Sequence, residues 1–337
     1  MKLLVFEYAA AAGIESSAIT VEGQHMLEGL LTDINQRGAD YLIHENSKLR
    51  NDFSRCNPII TDKEISLWLD ENIGNFDACF PVAPEEDHIL YRITRVLEDN
   101  GVEIIGSSSG AVLACSDKYE TYNILRKDFP VARSEKVFFS NLKEYKDIFS
   151  GGKKMLVKPA DGVSCSGVWI IRSYPDFIKA SSRLKRFTNL PFFLLQDYME
   201  GISSSVSILS TGKEAMPLSL NQQNIGLNQG KLTYKGGKVP FEHKLSDDAK
   251  DISKRAVESI EGLKGYVGVD LLLDESNDEI YILEINPRLT TSYVALRKVL
   301  NFNLGEAVVD TARGILPCEV EFKDSLTFKK GDGIIFK

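Results

Sequence analysis

Residues 279–293 read EIYILEINPRLTTSY, and the fold turns on how this stretch is read. Ile280, Tyr281, Ile282, Leu283 and Ile285 form an apolar run with the character of a buried strand, yet Glu284, Asn286 and Arg288 rise out of it. Alternation along a strand places residues i, i+2 and i+4 on one face, so these three point the same way. That face gathers a carboxylate, an amide oxygen and a guanidinium. Hard cations such as Mg²⁺ take oxygen ligands, and arginine matches phosphate bidentately. The competing reading is an edge strand whose polar face meets water.

Moving outward, Val267–Asp274, which reads VGVDLLLD, is a second apolar strand in which Asp270 stands among leucines. The short connection Glu275–Asp278 predicts a hairpin between the two, with Asp270 across from Glu284. Two carboxylates side by side are costly unless a cation lies between them. This pairing is the main structural argument for a metal.

Further upstream, strand and helix alternate. Strands are predicted at Lys2–Tyr8, Tyr41–His44, Phe76–Val82 and Val102–Ile105. Helical patterns separate them around Met26–Ile34, Ile65–Ile73 and Ile89–Leu97, with a small-residue turn at Ala9–Gly13. Such alternation predicts a parallel sheet covered on both faces, with ligands beyond the carboxyl ends of the strands. Those ends are Glu7–Gly13, the VAPEED turn at 82–87 and Ser107–Gly110. No GxGxxG follows the first strand, which speaks against a dinucleotide enzyme.

The middle of the chain predicts one helix over Ser108–Leu125 carrying Lys118, a residue type that usually faces solvent. Strands follow at Val131–Phe138 and Met155–Pro159, the latter ending in Lys158. Asp161–Val168, DGVSCSGV, is a loop of small residues able to bring backbone N–H groups close to phosphate, or else a tight hairpin loop. A helix at Asp176–Phe187 precedes strands at Phe192–Tyr198 and Ser204–Leu209. Pro217–Pro240, rich in Asn, Gln and Gly, reads either as two twisted strands or as a substrate loop. A helix at Asp248–Leu263, a closing helix at Val294–Gly314 and two short strands within Glu319–Lys337 complete the pattern.

With 337 residues the chain is long enough for two or three subdomains around a sizeable core. A net charge of -8 argues against broad nucleic-acid binding. The five cysteines show no CxxC spacing, which fits reduced thiols in a cytoplasmic protein better than a disulfide frame or zinc site. No apolar run is long enough to span a bilayer. Composition leaves a homodimer open.

Five motifs in order carry a resemblance: SDKYETYNIL with Lys118, VKPADGVSCSGV with Lys158, LQDYMEG at 195–201, GVDLLLDE with Asp270, and LEINPR with Glu284 and Asn286. Together they resemble the ATP-grasp superfamily, and the likeness covers essentially the whole chain. It implies a Rossmann-like pre-ATP-grasp domain over residues 1–110, a small α+β lobe over 111–195 and a large lobe over 196–337. It also implies that Lys118, Lys158, Gly162 and Ser164 hold the phosphates of ATP, and that Gln196, Asp197 and Tyr198 form the hinge against adenine. Asp270, Glu284 and Asn286 would then bind Mg²⁺ or Mn²⁺, with Arg288 and Lys158 at the transferred phosphoryl group. Two departures stand out: Ser164, Cys165 and Ser166 occupy positions where many members have more glycine, and Ser203–Ser205 occupy the place of an acidic ribose contact, leaving Glu200 as a substitute.

Phosphoryl transfer needs charge neutralisation around the γ-phosphate and in-line positioning, which two lysines, a metal cluster and an arginine supply. No covalent enzyme residue is required, and Cys165, with no histidine near it in sequence, is not read as a nucleophile. Within the superfamily, FEYAAAAG, EGQHML, VAPEED and EINPRLTTSY are similar to archaeal tyramine-glutamate ligases of methanofuran biosynthesis. That likeness implies small-molecule substrates, glutamate and tyramine or another amine, joined through an acyl phosphate. Glu7, Glu85, Glu86, Arg288 and Gln223 are the candidates for the groups of a zwitterionic glutamate. The alternatives are a ligase for another amino acid and amine, and a nucleotide-binding module without turnover.

Overall fold

The computed structural model describes residues 1–14, 18–47, 49–163, 165–331 and 333–336. The amino-terminal part is a parallel sheet in the order Cys56–Thr61, Ala39–His44, Leu3–Glu7, Ala78–Val82, Glu103–Ile104. Leu3–Glu7 is buried at all five positions because it has a strand on each side and helices on both faces. The sheet therefore has five strands where four are expected. Cys56–Thr61 escapes notice because it is an edge strand, with Asn57 and Pro58 exposed at a place where proline's missing donor is tolerated. The expected turn after the first strand is a short helix, Tyr8–Ala11, whose first turn is capped by Glu7.

The predicted helix over Ser108–Leu125 is two helices, Ser109–Ser116 and Lys118–Leu125. Asp117 breaks it with extended φ and ψ of -105° and 110°, and its carboxylate accepts the Tyr119 N–H at 2.8 Å. This is ordinary N-cap chemistry. Its consequence is that Lys118 opens a helix and points inward instead of lying on a solvated face.

The remainder is built on an antiparallel sheet of eleven strands. Its path runs through Glu279–Asn286, Lys264–Asp274, Ile202–Thr211, Ala215–Asn228 and Lys231–Val239, then through Trp169–Ile171, Met155–Lys158, Phe192–Asp197 and Ser134–Phe138. The two halves of the path meet where Lys231 pairs with Trp169. The Asn- and Gln-rich stretch is thus a long hairpin. Leu326–Lys330 adds to Lys231–Val239 and pairs with Ile334–Phe336.

The expected closing helix is also two, Ser292–Val299 and Leu304–Thr311, the second capped by Asn303. These helices share one apolar core with the parallel sheet, Tyr293, Leu296 and Val308 packing with Leu27, Leu30 and Val5. Arg297 and the Tyr293 hydroxyl both bind Asp33, at 2.5 and 2.6 Å, fastening the segment after the Glu284 strand to the first unit. All five cysteines are free thiols. Among the described residues no helix is long and apolar enough to cross a membrane.

Candidate active site

Asp270 pairs in register with Glu284, and Gly268 with Asn286. The register slips after Asp270, since Leu271 pairs with Ile282, and this leaves Leu283 as the extra residue of a bulge. Leu283 lines the cavity beneath the hinge, while Asp270, Glu284, Asn286 and Arg288 line the adjoining one. Gln223 donates to Asp270 Oδ1 at 3.0 Å. Burial, with the Glu284 charge beside it, pushes the Asp270 carboxyl well up. Burial also acts against Glu284, but Lys118 and Lys158 overcome it and hold that carboxyl down at about 2. Two facing carboxylates, one pushed up and the other held down, form a donor set that a divalent cation would relieve. Among the described residues no three His, Cys, Asp or Glu side chains cluster as a metal site, so a cation here would draw on Asn286 and on phosphate oxygens.

Lys118 Nζ lies 2.9 Å from Glu284 Oε2 and donates to the Gly162 carbonyl at 2.6 Å. Burial pulls its pKa down, yet Glu284, Glu85 and Asp270 outweigh that and keep it above the usual lysine value. Lys158 is buried, and burial lowers its ammonium to about 8 against the pull of Glu284. Both lysines line one cavity with Gly162, Cys165 and Ser166. A Cβ on Gly162 would stand 3.0 Å from Pro159 and 3.2 Å from the Ser166 carbonyl, which explains glycine there. Cys165 takes φ of 58°, the left-handed region that favours glycine. Burial and the nearby carboxylates push its thiol up to about 12, so it carries no thiolate near neutrality. Ser164 lies outside the described residues.

The hinge cavity, of about 610 Å³, is lined by Gln196, Asp197 and Tyr198 together with Leu156, Ile170, Leu272 and Leu283. An apolar slot edged by backbone suits a flat heterocycle. Gln196 is buried and donates to Ser134 Oγ at 2.8 Å, which turns its side chain to strand Ser134–Phe138. Asp197 pairs with Lys153 at 2.7 Å. The side chain of Glu200 is exposed and bound to Lys154 at 2.7 Å.

Arg288 is held from the first domain. Its Nε lies 2.9 Å from both oxygens of Glu85, and a terminal nitrogen lies 2.8 Å from one of them. Glu85 is therefore an arginine partner, and not a free acceptor for a substrate ammonium. Glu7 is likewise engaged, accepting the Ala10 N–H at 2.9 Å, and burial raises its carboxyl to about 7. Glu86 is driven up by burial and by Asp161, with Lys118 opposing. Sequence reasoning missed Glu22, Asn221, Tyr234 and Thr291, all of which line the cavity of Arg288 and Glu284. The signal was a carboxylate on a helix that otherwise faces a core, just past the end of the first strand.

A parallel-sheet domain set against an antiparallel sheet, with lysines and paired carboxylates converging on one cleft, defines a nucleotide-dependent ligase scaffold. An ATP-grasp domain family matches residues 115–292 and a pre ATP-grasp 3 domain family matches residues 42–112, so the chain belongs to the ATP-grasp family. It is an ATP-dependent carboxylate-amine ligase. The chain is 35% identical, over 88% of its length and 89% of the relative's, to the tyramine–L-glutamate ligase of Methanocaldococcus fervens. It is 33% identical to the tyramine–L-glutamate ligase of Methanocaldococcus jannaschii, over 95% of this chain and 91% of that one. Among solved structures it resembles an ATP-grasp superfamily protein from Archaeoglobus fulgidus, with TM-score 0.67 and 27% identity over 98% of this chain and 92% of the other.

Proposed function

We propose that this protein joins the γ-carboxylate of glutamate to the amine of tyramine, giving γ-glutamyltyramine, ADP and phosphate. The observation that carries the reading is the convergence of Lys118, Lys158, Asp270, Glu284 and Arg288 on adjoining cavities. The relatives named for this reaction, matched over nearly the whole chain, support the choice of substrates.

In this reading a γ-carboxylate oxygen attacks the γ-phosphorus of ATP, and ADP leaves. The amine nitrogen then attacks the activated carbonyl, loses a proton and expels phosphate. Lys158 and Lys118 neutralise phosphate oxygens, and Arg288, fixed by Glu85, faces the transferred group. Gln196, Asp197 and Tyr198 border the adenine. Asp270, Glu284 and Asn286 would hold Mg²⁺ or Mn²⁺, which supplies charge neutralisation when bound. Residues 1–110 act as the pre-ATP-grasp domain, 111–195 as the small lobe and 196–337 as the large lobe.

Hydroxylamine tests the first half-reaction without the natural amine. Protein given ATP, metal, glutamate and hydroxylamine should form glutamate γ-hydroxamate with ADP. Hydroxamate formation from another acid and none from glutamate would move the protein to a ligase of different substrates.

A further inference from the structure

The carboxy-terminal hairpin brings an ammonium to Glu22, a residue of the cavity wall. Leu326–Lys330 pairs with Lys231–Val239, placing Phe328 in the cavity wall and Lys330 against helix Ala18–Ile34. Lys330 Nζ donates to one oxygen of Glu22, and the Thr291 hydroxyl donates to the other. The same ammonium lies 5.9 Å from the centre of the Tyr234 ring. Lys330 and Glu22 are recessed, with 12% and 8% of their side chains exposed.

A recessed ion pair is a poor way to fasten a hairpin, because desolvation offsets most of its attraction and apolar residues would serve as well. The hairpin is already tied by its own ladder. A carboxylate oriented by a hydroxyl and an aromatic ring beside it are instead the partners a primary ammonium seeks. Glu22, Tyr234 and Thr291 line the cavity that also holds Arg288, Asp270 and Glu284.

We propose that Glu22, Tyr234 and Thr291 are the subsite for the α-ammonium of the amino-acid substrate, and that Lys330 is an internal occupant which this ammonium displaces. The proposal rests on the ligase reading above. A reacting amine must give up its proton before it attacks, and a buried carboxylate holds that proton on. The subsite therefore suits the ammonium that stays charged throughout, that of the acid substrate.

The test compares Glu22→Gln and Lys330→Met in the full chain, using hydroxamate formation with glutamate and with glutarate, which lacks the α-ammonium. Glu22→Gln should raise the KM for glutamate at least about tenfold, the scale of a lost charge-assisted hydrogen bond, with little change for glutarate or ATP. Lys330→Met should lower the KM for glutamate, because the internal competitor is gone. Changes in the same direction in both variants, or equal effects on glutamate and glutarate, would show a merely structural ion pair and overturn the subsite. Failure of the wild-type protein to form hydroxamate overturns the underlying ligase reading. Normal hydroxamate formation with an unchanged glutamate KM in Glu22→Gln overturns the subsite alone.

Discussion

Asp270 and Glu284 stand opposite each other across one rung of an antiparallel ladder, and their environments drive their carboxyl groups in opposite directions. A divalent cation between them would relieve their repulsion. Asp270→Asn should therefore stabilise the metal-free protein by about 1 kcal/mol and abolish the stabilisation that metal and nucleotide give the wild type. Turnover should fall at least about 100-fold, the scale on which catalysis depends on placed charge. Thermal melts with and without Mg²⁺–ATP read both effects. Undiminished metal protection in the variant would remove Asp270 from the metal site.

Lys158 is the cation most weakened by burial, at about 8. Its charge is present below that value and lost above it. In the unliganded enzyme kcat/KM for ATP should then decline as pH rises past about 8, and Lys158→Met should flatten that limb while raising the KM for ATP at least about tenfold. A limb that persists in Lys158→Met belongs to another group.

Burial raises Glu7 from 4.5 to about 7, so the fold favours its protonated form. The contribution is fully present below 4.5 and is lost as pH climbs through that window to about 7. Wild-type stability should fall across this range by up to about 3 kcal/mol from this group, and Glu7→Gln, which keeps a side-chain acceptor for the Ala10 N–H, should fall by that much less over the same range. Denaturant melts at pH 4.5 and 7.5 decide the matter.

Glu85 holds Arg288 by three contacts of 2.8 to 2.9 Å. Glu85→Gln loses the charge partner and should lower kcat with a small effect on the KM for ATP, because the guanidinium is displaced while the nucleotide cavity is untouched. Arg288→Lys should be worse than this, since an ammonium cannot reproduce the planar fork. A larger loss in Glu85→Gln than in Arg288→Lys would give Glu85 a role of its own.

How much of this was legible beforehand varied with physical cause. The hairpin was legible because a short connection joins two apolar runs, but strict alternation would set Asp270 opposite Leu283, and it is the bulge at Leu283 that brings Glu284 across from it and buries Ile285 as well as Ile280 and Ile282. Lys118 was picked out by motif likeness, but its burial was not legible, since that depends on a helix break at Asp117 that a periodic pattern passes over. Cys56–Thr61 was hidden because an edge strand with proline reads as loop. Glu85 was picked out as a site residue but given the wrong partner, because its arginine lies about two hundred residues away in sequence. Glu22 and Lys330 come from opposite ends of the chain, and no local signal joins them.

The most direct measurement is ADP and phosphate release from purified protein with ATP, Mg²⁺ and glutamate, with and without tyramine, followed by the mass of the product. Release that depends on both substrates and yields γ-glutamyltyramine is the predicted result. ATP binding without release across a broad panel of amino acids and amines would contradict the account and leave a nucleotide-binding module in its place.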